Sequence, residues 1–277
     1  MVELRHKKSG EIVALLDIDS LAKADLSGMD LAEVGLRDRL LYNTNFSGAN
    51  LKEADFSGAR LPYVNLHGAN LNRATFRNTE ISQADLSDTD LSEADLSRSI
   101  LFATKLLGAN LHRVRLSYSR ISYCDFSGKD MSGLLCKHAD FAKVNLTEAD
   151  VSEAFILGVR FHQCEARGTR MIGAVITSVV WQDCDLAEVD FTGARFQNVC
   201  FIQCRNLHRA IGLEHVVQKP PRSWQSGSSL DIATVRASIS YLPDSFVLGL
   251  GYSSQEITAW RKIYGTDSAN GNSAELP

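Results

Sequence analysis

The sequence predicts an all-β solenoid, a quadrilateral β-helix of about nine coils, and three regularities carry that prediction. An apolar residue stands at every fifth position from Leu21 to Phe201, thirty-seven times without a slip. The residue two positions before each of these centres is usually small, most often alanine. Opposite charges and cysteines recur every twenty residues, which is four repeats.

A five-residue period fits neither regular backbone geometry. In the segment SQADLSDTDLSEADLS, residues 82–97, successive leucines would lie about 140° apart on an α-helix, so no apolar stripe would form. On a flat strand, an odd spacing sends them to opposite faces. All centres point inward only if the chain turns after each one, and polar turn-forming residues stand where these corners must be.

The interval of twenty indicates that four repeats close one coil. Charges alternate at this interval in the series Glu53, Arg73, Glu93 and Arg113. Shorter series of the same kind are Asp85, Lys105 and Asp125; Arg120, Asp140 and Arg160; and Asp150, Arg170 and Asp190. Stacked coils place these residues above one another, so we expect ladders of exposed ion pairs, each worth about 0.2–1 kcal/mol. The six acids from 80 to 95 and five bases from 98 to 120 are expected to pair across coils, leaving no acidic stripe.

The repeat A-(D/N)-L-x-x, as in Ala84–Asp85–Leu86, resembles the pentapeptide-repeat family of bacterial proteins. The resemblance covers about residues 21–205. It implies a right-handed, four-sided β-helix with four repeats per coil. At about 4.8 Å per coil, such a rod is about 45 Å long.

Both ends of a solenoid need a cap. Residues 1–20 contain two apolar runs around the turn KSGE, which predicts an N-terminal β-hairpin cap. The period fails after Phe201, because Asn206 occupies the next centre, and residues 206–229 are predicted to be a linker.

A short α-helical region is predicted over 230–265 and a disordered tail over 266–277. One helix is expected to begin at Asp231 and to stop at Pro243, and a second follows the capping-box pair Ser253 and Glu256 and stops at Gly265. Their apolar positions are Ile232, Val235, Ile239, Leu242, Ile257, Trp260 and Ile263. This region resembles the segment that follows the repeats in some pentapeptide proteins linked to Toll/interleukin-receptor-like domains.

Composition favours a cytoplasmic protein without catalytic, metal or cofactor sites. The formal net charge is −4, no apolar run is long enough to cross a membrane, and six cysteines are too few for a disulfide framework. Four of them, Cys124, Cys164, Cys184 and Cys204, fall on one inner column, where a soft-metal site or disulfides could form, but filler for a small-residue position is favoured. No Ser/His/Asp or Cys/His set converges, so the chain is not expected to be an enzyme.

The sequence therefore favours a protein-interaction scaffold, and two alternatives stay open. One is a DNA-mimicking regulator of a type II topoisomerase, as the resemblance to quinolone-resistance members implies; the other is an adaptor in an immunity or host-interaction pathway. The predicted partner-binding residues are Leu40, Tyr42, Tyr63, Ile100, Phe102 and Tyr123. A second surface, for docking of the C-terminal helices or for a homodimer, comprises Leu135, Phe155, Leu157, Val175, Val180 and Trp260. The protein partner is unidentified, and neither membrane nor direct nucleic-acid binding is expected.

Overall fold

The computed structural model describes residues 1–215, 217–218, 229–230, 234, 242–250 and 252–264. It confirms the solenoid. Parallel pairs join residues twenty apart at all four repeat positions, as in Asp25 with Asn45 and Asp30 with Asn50. All thirty-seven centres are buried, and none is more than 4% exposed. The interior of the solenoid is therefore one continuous apolar core.

Each coil has four walls, which we name by their centres. Wall A has its centres at 21, 41, 61 and every twentieth residue to 201. Walls B, C and D follow in chain order, with centres that begin at 26, 31 and 36 respectively. Residues directly after a centre form the corner to the next wall.

The strands are short and belong to three sheets. A three-stranded sheet has the order β2-β1-β3, wall A carries the order β16-β14-β12-β10-β8-β6-β5-β4, and wall D carries β15-β13-β11-β9-β7. Their bounds are β1 Val2–His6, β2 Ile12–Leu16, β3 Val34–Gly35, β4 Glu80–Ser82, β5 Ile100–Phe102, β6 Arg120–Ser122, β7 Leu135–Lys137, β8 Asp140–Ala142, β9 Phe155–Leu157, β10 Arg160–His162, β11 Val175–Thr177, β12 Val180–Gln182, β13 Arg195–Gln197, β14 Cys200–Ile202, β15 Val217–Gln218 and β16 Ser229–Leu230.

Regular strands define about six turns of the solenoid, fewer than the nine coils that the period predicts. The difference arises in the first coils. Before Glu80, neighbouring coils pair through single-residue bridges, so these coils turn without forming strands.

A hydrogen-bonded corner explains the repeat. The Ala24 N–H donates to the carbonyl of centre Leu21 at 3.0 Å, and Lys23 between them has φ 64°, as in a type II β-turn. The side chain of the aspartate or asparagine before a centre accepts a hydrogen bond from the N–H of the residue that follows that centre. Asp25 accepts such a bond from the Ser27 N–H at 3.1 Å. Asparagine amides also bond from coil to coil, and the Asn45 amide donates to Asp25 at 2.9 Å. Asp and Asn are therefore preferred before the centre because they stabilise both the corner and the stack.

Buried hydroxyl groups at the small position are satisfied by the same carbonyls. The Thr89 hydroxyl donates to the Leu86 carbonyl at 2.7 Å, and the Thr104 hydroxyl donates to the Ile81 carbonyl one coil below at 2.9 Å. Thr and Ser can therefore replace Ala inside the coil without leaving an unpaired polar group.

The N-terminal hairpin covers the first coil. Strand β1 pairs antiparallel with β2 and with β3, and Leu4 is 1% exposed against the core. Because β1 pairs along both of its edges, the hairpin continues the hydrogen-bonding ladder of the first coil and covers the apolar end, and β2 becomes the edge strand of this sheet.

At the C-terminal end the structure corrects the expected boundary at 205. Asn206 adopts a left-handed conformation with φ 59°, and Leu207, fully buried, takes the centre position one residue late. Strand β15 then pairs on wall D, and Leu230 of β16 pairs with Phe201 on wall A. Part of the segment expected to be a linker, 206–229, therefore extends the solenoid. Two 3₁₀ turns lie in this coil, Leu207–Arg209 and Leu213–His215.

Over residues 242–250 and 252–264 the structure describes two α-helices, α1 Asp244–Gly249 and α2 Ser254–Tyr264. The capping box at α2 is confirmed, since the Ser253 N–H donates to the Glu256 carboxylate at 2.7 Å and the Glu256 N–H donates to the Ser253 hydroxyl at 3.2 Å. Pro243 precedes α1 as its N-cap, a place its fixed φ suits. The expected helix start at Asp231, with Ile232, Val235 and Ile239, lies outside the described residues, as do Gly265 and the tail from 266.

Helix α1 covers the end of the core. The Phe246 ring lies 6.3 Å from Phe196 and 6.4 Å from Phe201, and Phe246 is 1% exposed. The Tyr252 hydroxyl accepts the Leu230 N–H at 3.0 Å, which ties the segment between the helices to β16. Trp260 packs on Tyr252, with ring centroids 4.8 Å apart.

Aromatic centres stack on one another along wall A. Phe141 and Phe161 stack at 5.0 Å, and Phe161 and Trp181 stack at 4.0 Å with an interplanar angle of 11°. The centre at Ala166 is fully buried. We expect the indole to use the space that this alanine leaves, since interiors are packed to nearly constant density.

Ala166→Leu should therefore lower the free energy of unfolding by about 1–3 kcal/mol through overpacking. Equilibrium denaturation measures the change. The double variant Ala166→Leu/Trp181→Leu should recover part of the loss, because the smaller side chain on wall A makes room. Equal stability of Ala166→Leu and the natural protein would contradict the packing argument.

The end cap generates a second prediction. Phe246→Ser removes the ring that covers Phe196 and Phe201 and should destabilise the protein by about 3 kcal/mol, with aggregation on heating. Leu248→Ser is the matched control on the same helix, because Leu248 is exposed and should change stability by less than about 0.5 kcal/mol. Thermal melting with light scattering distinguishes the two, and indistinguishable variants would show that α1 is not a cap.

Candidate interaction surface

Wall A carries the apolar side chains that the sequence predicts for partner binding. All six are 37–57% exposed. We call them the aromatic surface: Leu40, Tyr42, Tyr63, Ile100, Phe102 and Tyr123. They come from coils stacked in register, so the structure brings all of them onto one wall.

The rings of this surface form two pairs. Tyr42 and Tyr63 meet edge to face at 5.8 Å, and Phe102 and Tyr123 do so at 5.5 Å. The Lys143 ammonium donates to the Tyr123 hydroxyl at 3.1 Å and also lies 5.1 Å from that ring. These contacts hold the rings in place before any partner arrives.

The second predicted surface is a column on wall D, where Leu135, Phe155 and Val175 stand above one another in register. Phe155 is 39% exposed and lies beneath the Lys137 ammonium at 5.4 Å, while Leu157 and Val180 are half-buried.

Trp260 is not brought to this column, because it packs on Tyr252. The described part of the C-terminal region covers the end of the solenoid instead, where Phe196 and Phe201 would otherwise be open to water. The idea that the helices fold back along wall D is therefore wrong for the described helices. The alternative, a homodimer that forms through this surface, stays a prediction.

The cysteine column lies in the core. The Cys164 thiol donates to the Phe141 carbonyl at 3.4 Å, and the Cys204 thiol donates to the Trp181 carbonyl at 3.3 Å. Burial raises the pKa of Cys124, and that of Cys136 on another wall, so both stay protonated thiols. Among the residues that the structure describes, no group of three His, Cys, Asp or Glu side chains could hold a metal ion.

Ion pairs form at some of the contacts that the interval of twenty predicts, whereas Arg113 and Arg120 form none with a described residue. Arg73 lies 3.8 Å from Glu53 and 3.9 Å from Glu93. The tightest of the neighbouring pairs joins Arg77 to Asp95 at 2.6 Å. Burial alone would raise the pKa of Asp95, but hydrogen bonds from Ser97 and the Arg77 guanidinium outweigh it and lower this pKa.

Charge is divided between the two sides of the rod, which corrects the expectation of no acidic stripe. Within residues 21–205, walls B and C together hold 17 acidic and 8 basic residues, a net charge of −9. Walls A and D hold 6 acidic and 12 basic residues, a net charge of +6. The linear sequence hides this division because each coil visits all four walls, so the charges of one side are interrupted along the chain by those of the other.

A chain that repeats one five-residue corner around a closed four-sided coil is a β-helical repeat protein. The family model described as pentapeptide repeats matches in eight copies, over residues 40–78, 79–117, 101–133 and 169–205. The repeat region of this chain therefore belongs to the pentapeptide-repeat family.

Several solved structures are similar to the chain. HetL, a pentapeptide-repeat protein involved in heterocyst differentiation regulation from the cyanobacterium Nostoc sp. strain PCC 7120, is 20% identical over 80% of this chain and 91% of its own, with a TM-score of 0.45. A trypsin-treated form of QnrB1, a plasmid-mediated fluoroquinolone resistance protein, is 15% identical over 84% and 96%, with a TM-score of 0.41. A thylakoid-lumen pentapeptide-repeat protein of Arabidopsis thaliana is 28% identical over 37% and 68%, with a TM-score of 0.23.

A search of curated proteins found no match. None of the described helices has the length and apolar character that a membrane span requires.

Proposed function

We propose that this chain is a non-catalytic interaction protein whose β-helical rod presents the aromatic surface of wall A to a protein partner. The observation that carries the proposal is the clustering of six exposed apolar side chains on one wall. Single exposed apolar residues are ordinary on any protein. Clustered tyrosine and phenylalanine rings are what the centres of protein interfaces use as anchors.

The rigidity of the wall supports this role. Ile100 and Phe102 lie in strand β5, which is paired on both sides, and Tyr42 and Tyr63 hold each other edge to face. Side chains that are already ordered lose little conformational entropy when a partner binds, so more of the contact energy appears as affinity.

The test replaces Tyr63 and Phe102 by serine together. Neither is a core centre, so the melting temperature should stay close to that of the natural protein. A partner isolated from the native cell and then purified should bind the variant about thirtyfold more weakly, equivalent to about 2 kcal/mol.

Leu107→Ser/Ile211→Ser is the matched control, since both side chains are exposed apolar residues away from wall A. Titration calorimetry with the purified partner measures all three proteins. If both double variants lose affinity equally, or neither does, the binding site is elsewhere.

The acidic side of the rod favours a second candidate, a DNA-mimicking regulator of a type II topoisomerase. A net charge of −9 on walls B and C resembles one side of a duplex in sign and in linear form. Over a rod of about 45 Å it amounts to about one charge per 5 Å, a third of the density of B-DNA, which carries one per about 1.7 Å. This lower density places the candidate second.

A gyrase supercoiling assay, with and without a fluoroquinolone, tests this candidate. If the acidic walls occupy the DNA-binding surface, the natural chain should inhibit supercoiling or protect the enzyme from the drug. Glu148→Gln/Glu153→Gln should weaken that effect, because both carboxylates are exposed on walls B and C. Glu80→Gln/Asp140→Asn on wall A is the control. No effect of the natural chain on gyrase would remove this candidate.

A further inference from the structure

Four exposed arginines in the middle of the rod have no ion pair with any described residue. We call them the arginine band: Arg98, Arg113, Arg115 and Arg120. They were expected to neutralise the acids of the preceding coil. Those acids are already engaged, since Glu93 pairs with Arg73 at 3.9 Å.

Asp95 shows the same arrangement. It lies directly below Arg115 in the ladder, yet its carboxylate is taken by Arg77 from the coil beneath at 2.6 Å. Glu93 and Asp95 therefore both pair with the coil beneath them, whereas Asp85 pairs with Lys105 of the next coil at 3.6 Å. The four arginines of the band are left without an ion pair among the described residues.

The band borders wall D on both edges. Arg113 and Arg115 stand at the corner with wall C, and Arg98 and Arg120 stand at the corner with wall A. The Arg98 guanidinium lies 5.3 Å over the Tyr118 ring, which stacks on His138 at 5.3 Å. A guanidinium laid on a ring keeps its N–H groups directed outward, where they can donate to an anion.

The band is continuous with the aromatic surface. In the ladder between β5 and β6, Arg120 stands directly beside Ile100, and Phe102 stands beside Ser122. Arginine next to clustered rings gives the composition of an interface that combines charge with apolar anchors.

We propose that the arginine band binds an acidic polypeptide segment of the partner, by donating hydrogen bonds to its carboxylates. The inference rests on the proposed function, because it assigns a chemical character to the partner of the adjoining aromatic surface. Arginine forks match carboxylates in a bidentate geometry. Asp95 and Asp140 stand beside Arg115 and Arg120 in the ladders, but none of the four arginines forms an ion pair with a described residue.

Two other occupants fit less well. Nucleic acid would need open ring faces for base stacking, but Arg98 and His138 flank the Tyr118 ring. A second copy carries a net charge of +6 on walls A and D beside its acidic walls. It therefore complements the band less well than a segment that is acidic throughout.

The experiment uses a labelled glutamate homopolymer, which has no apolar side chains and therefore probes the band alone. Fluorescence anisotropy at low ionic strength should show binding to the full chain that weakens as salt is added. Arg98→Gln/Arg115→Gln/Arg120→Gln should bind about tenfold more weakly. The corresponding lysine variant should keep most of the binding, which separates loss of charge from loss of fold.

The matched control is Arg73→Gln/Arg167→Gln/Arg170→Gln, which removes three arginines that are paired with Glu53, Glu188 and Asp150. It should change affinity less than twofold, and Tyr63→Ser/Phe102→Ser should not change it. The proposal is overturned if the control loses as much, if the natural chain does not bind, or if a thymidine homopolymer of equal length binds more tightly. A mass above the monomer that only the band variant abolishes would also overturn it, in favour of a second copy.

A failed homopolymer experiment leaves the proposed function standing, because that function is tested through Tyr63 and Phe102. Conversely, if no partner binds the aromatic surface, the arginine band can still bind the acidic probe.

Discussion

The hydrogen-bonded corner that follows every centre is the constraint on which the rest of this structure depends. A regular strand or helix satisfies its backbone along many residues, whereas this chain must change direction after each repeat. The left-handed residue at the corner and the carboxylate or amide before the centre make that possible, as Lys23 and Asp25 show in the first coil. Because the corner recurs without a slip, every centre points inward and every outward position aligns with the one twenty residues later.

That alignment converts a linear pattern into surfaces. Exposed rings that are twenty or twenty-one residues apart become neighbours, as Phe102 and Tyr123 do, and acids and bases that are interspersed along the chain fall mostly on opposite sides. The core is apolar on all four walls, so its apolar character does not distinguish them. What distinguishes them is the polar, apolar or charged character of the three outward positions of each repeat.

Much of the fold could be predicted from the sequence because the repeat is local. The burial of the centres, the aromatic stack through Trp181 and the capping box at Ser253 all follow from residues at short or fixed spacing. The late centre at Leu207 could not be read in this way, since it depends on Asn206 adopting a left-handed conformation that the pattern does not encode. Nor could the free arginines, because Asp95 lies twenty residues before Arg115, as the ladder requires, yet the side-chain geometry pairs it with Arg77, eighteen residues earlier. The residues of the aromatic surface could be predicted because the register of the repeat alone places them on wall A.

The unbroken register also determines how such a rod can change length in evolution. A loss or gain of twenty residues removes or adds one complete coil, and every later residue stays on the same wall. A change of five residues preserves the burial of the centres equally well, yet it moves every later residue to the next wall. The aromatic rings of the later coils would then lie on a different wall from those of the earlier coils, while the packing of the core would change little. Selection for the outer surface, rather than for folding, would therefore restrict insertions and deletions in the solenoid to multiples of twenty residues.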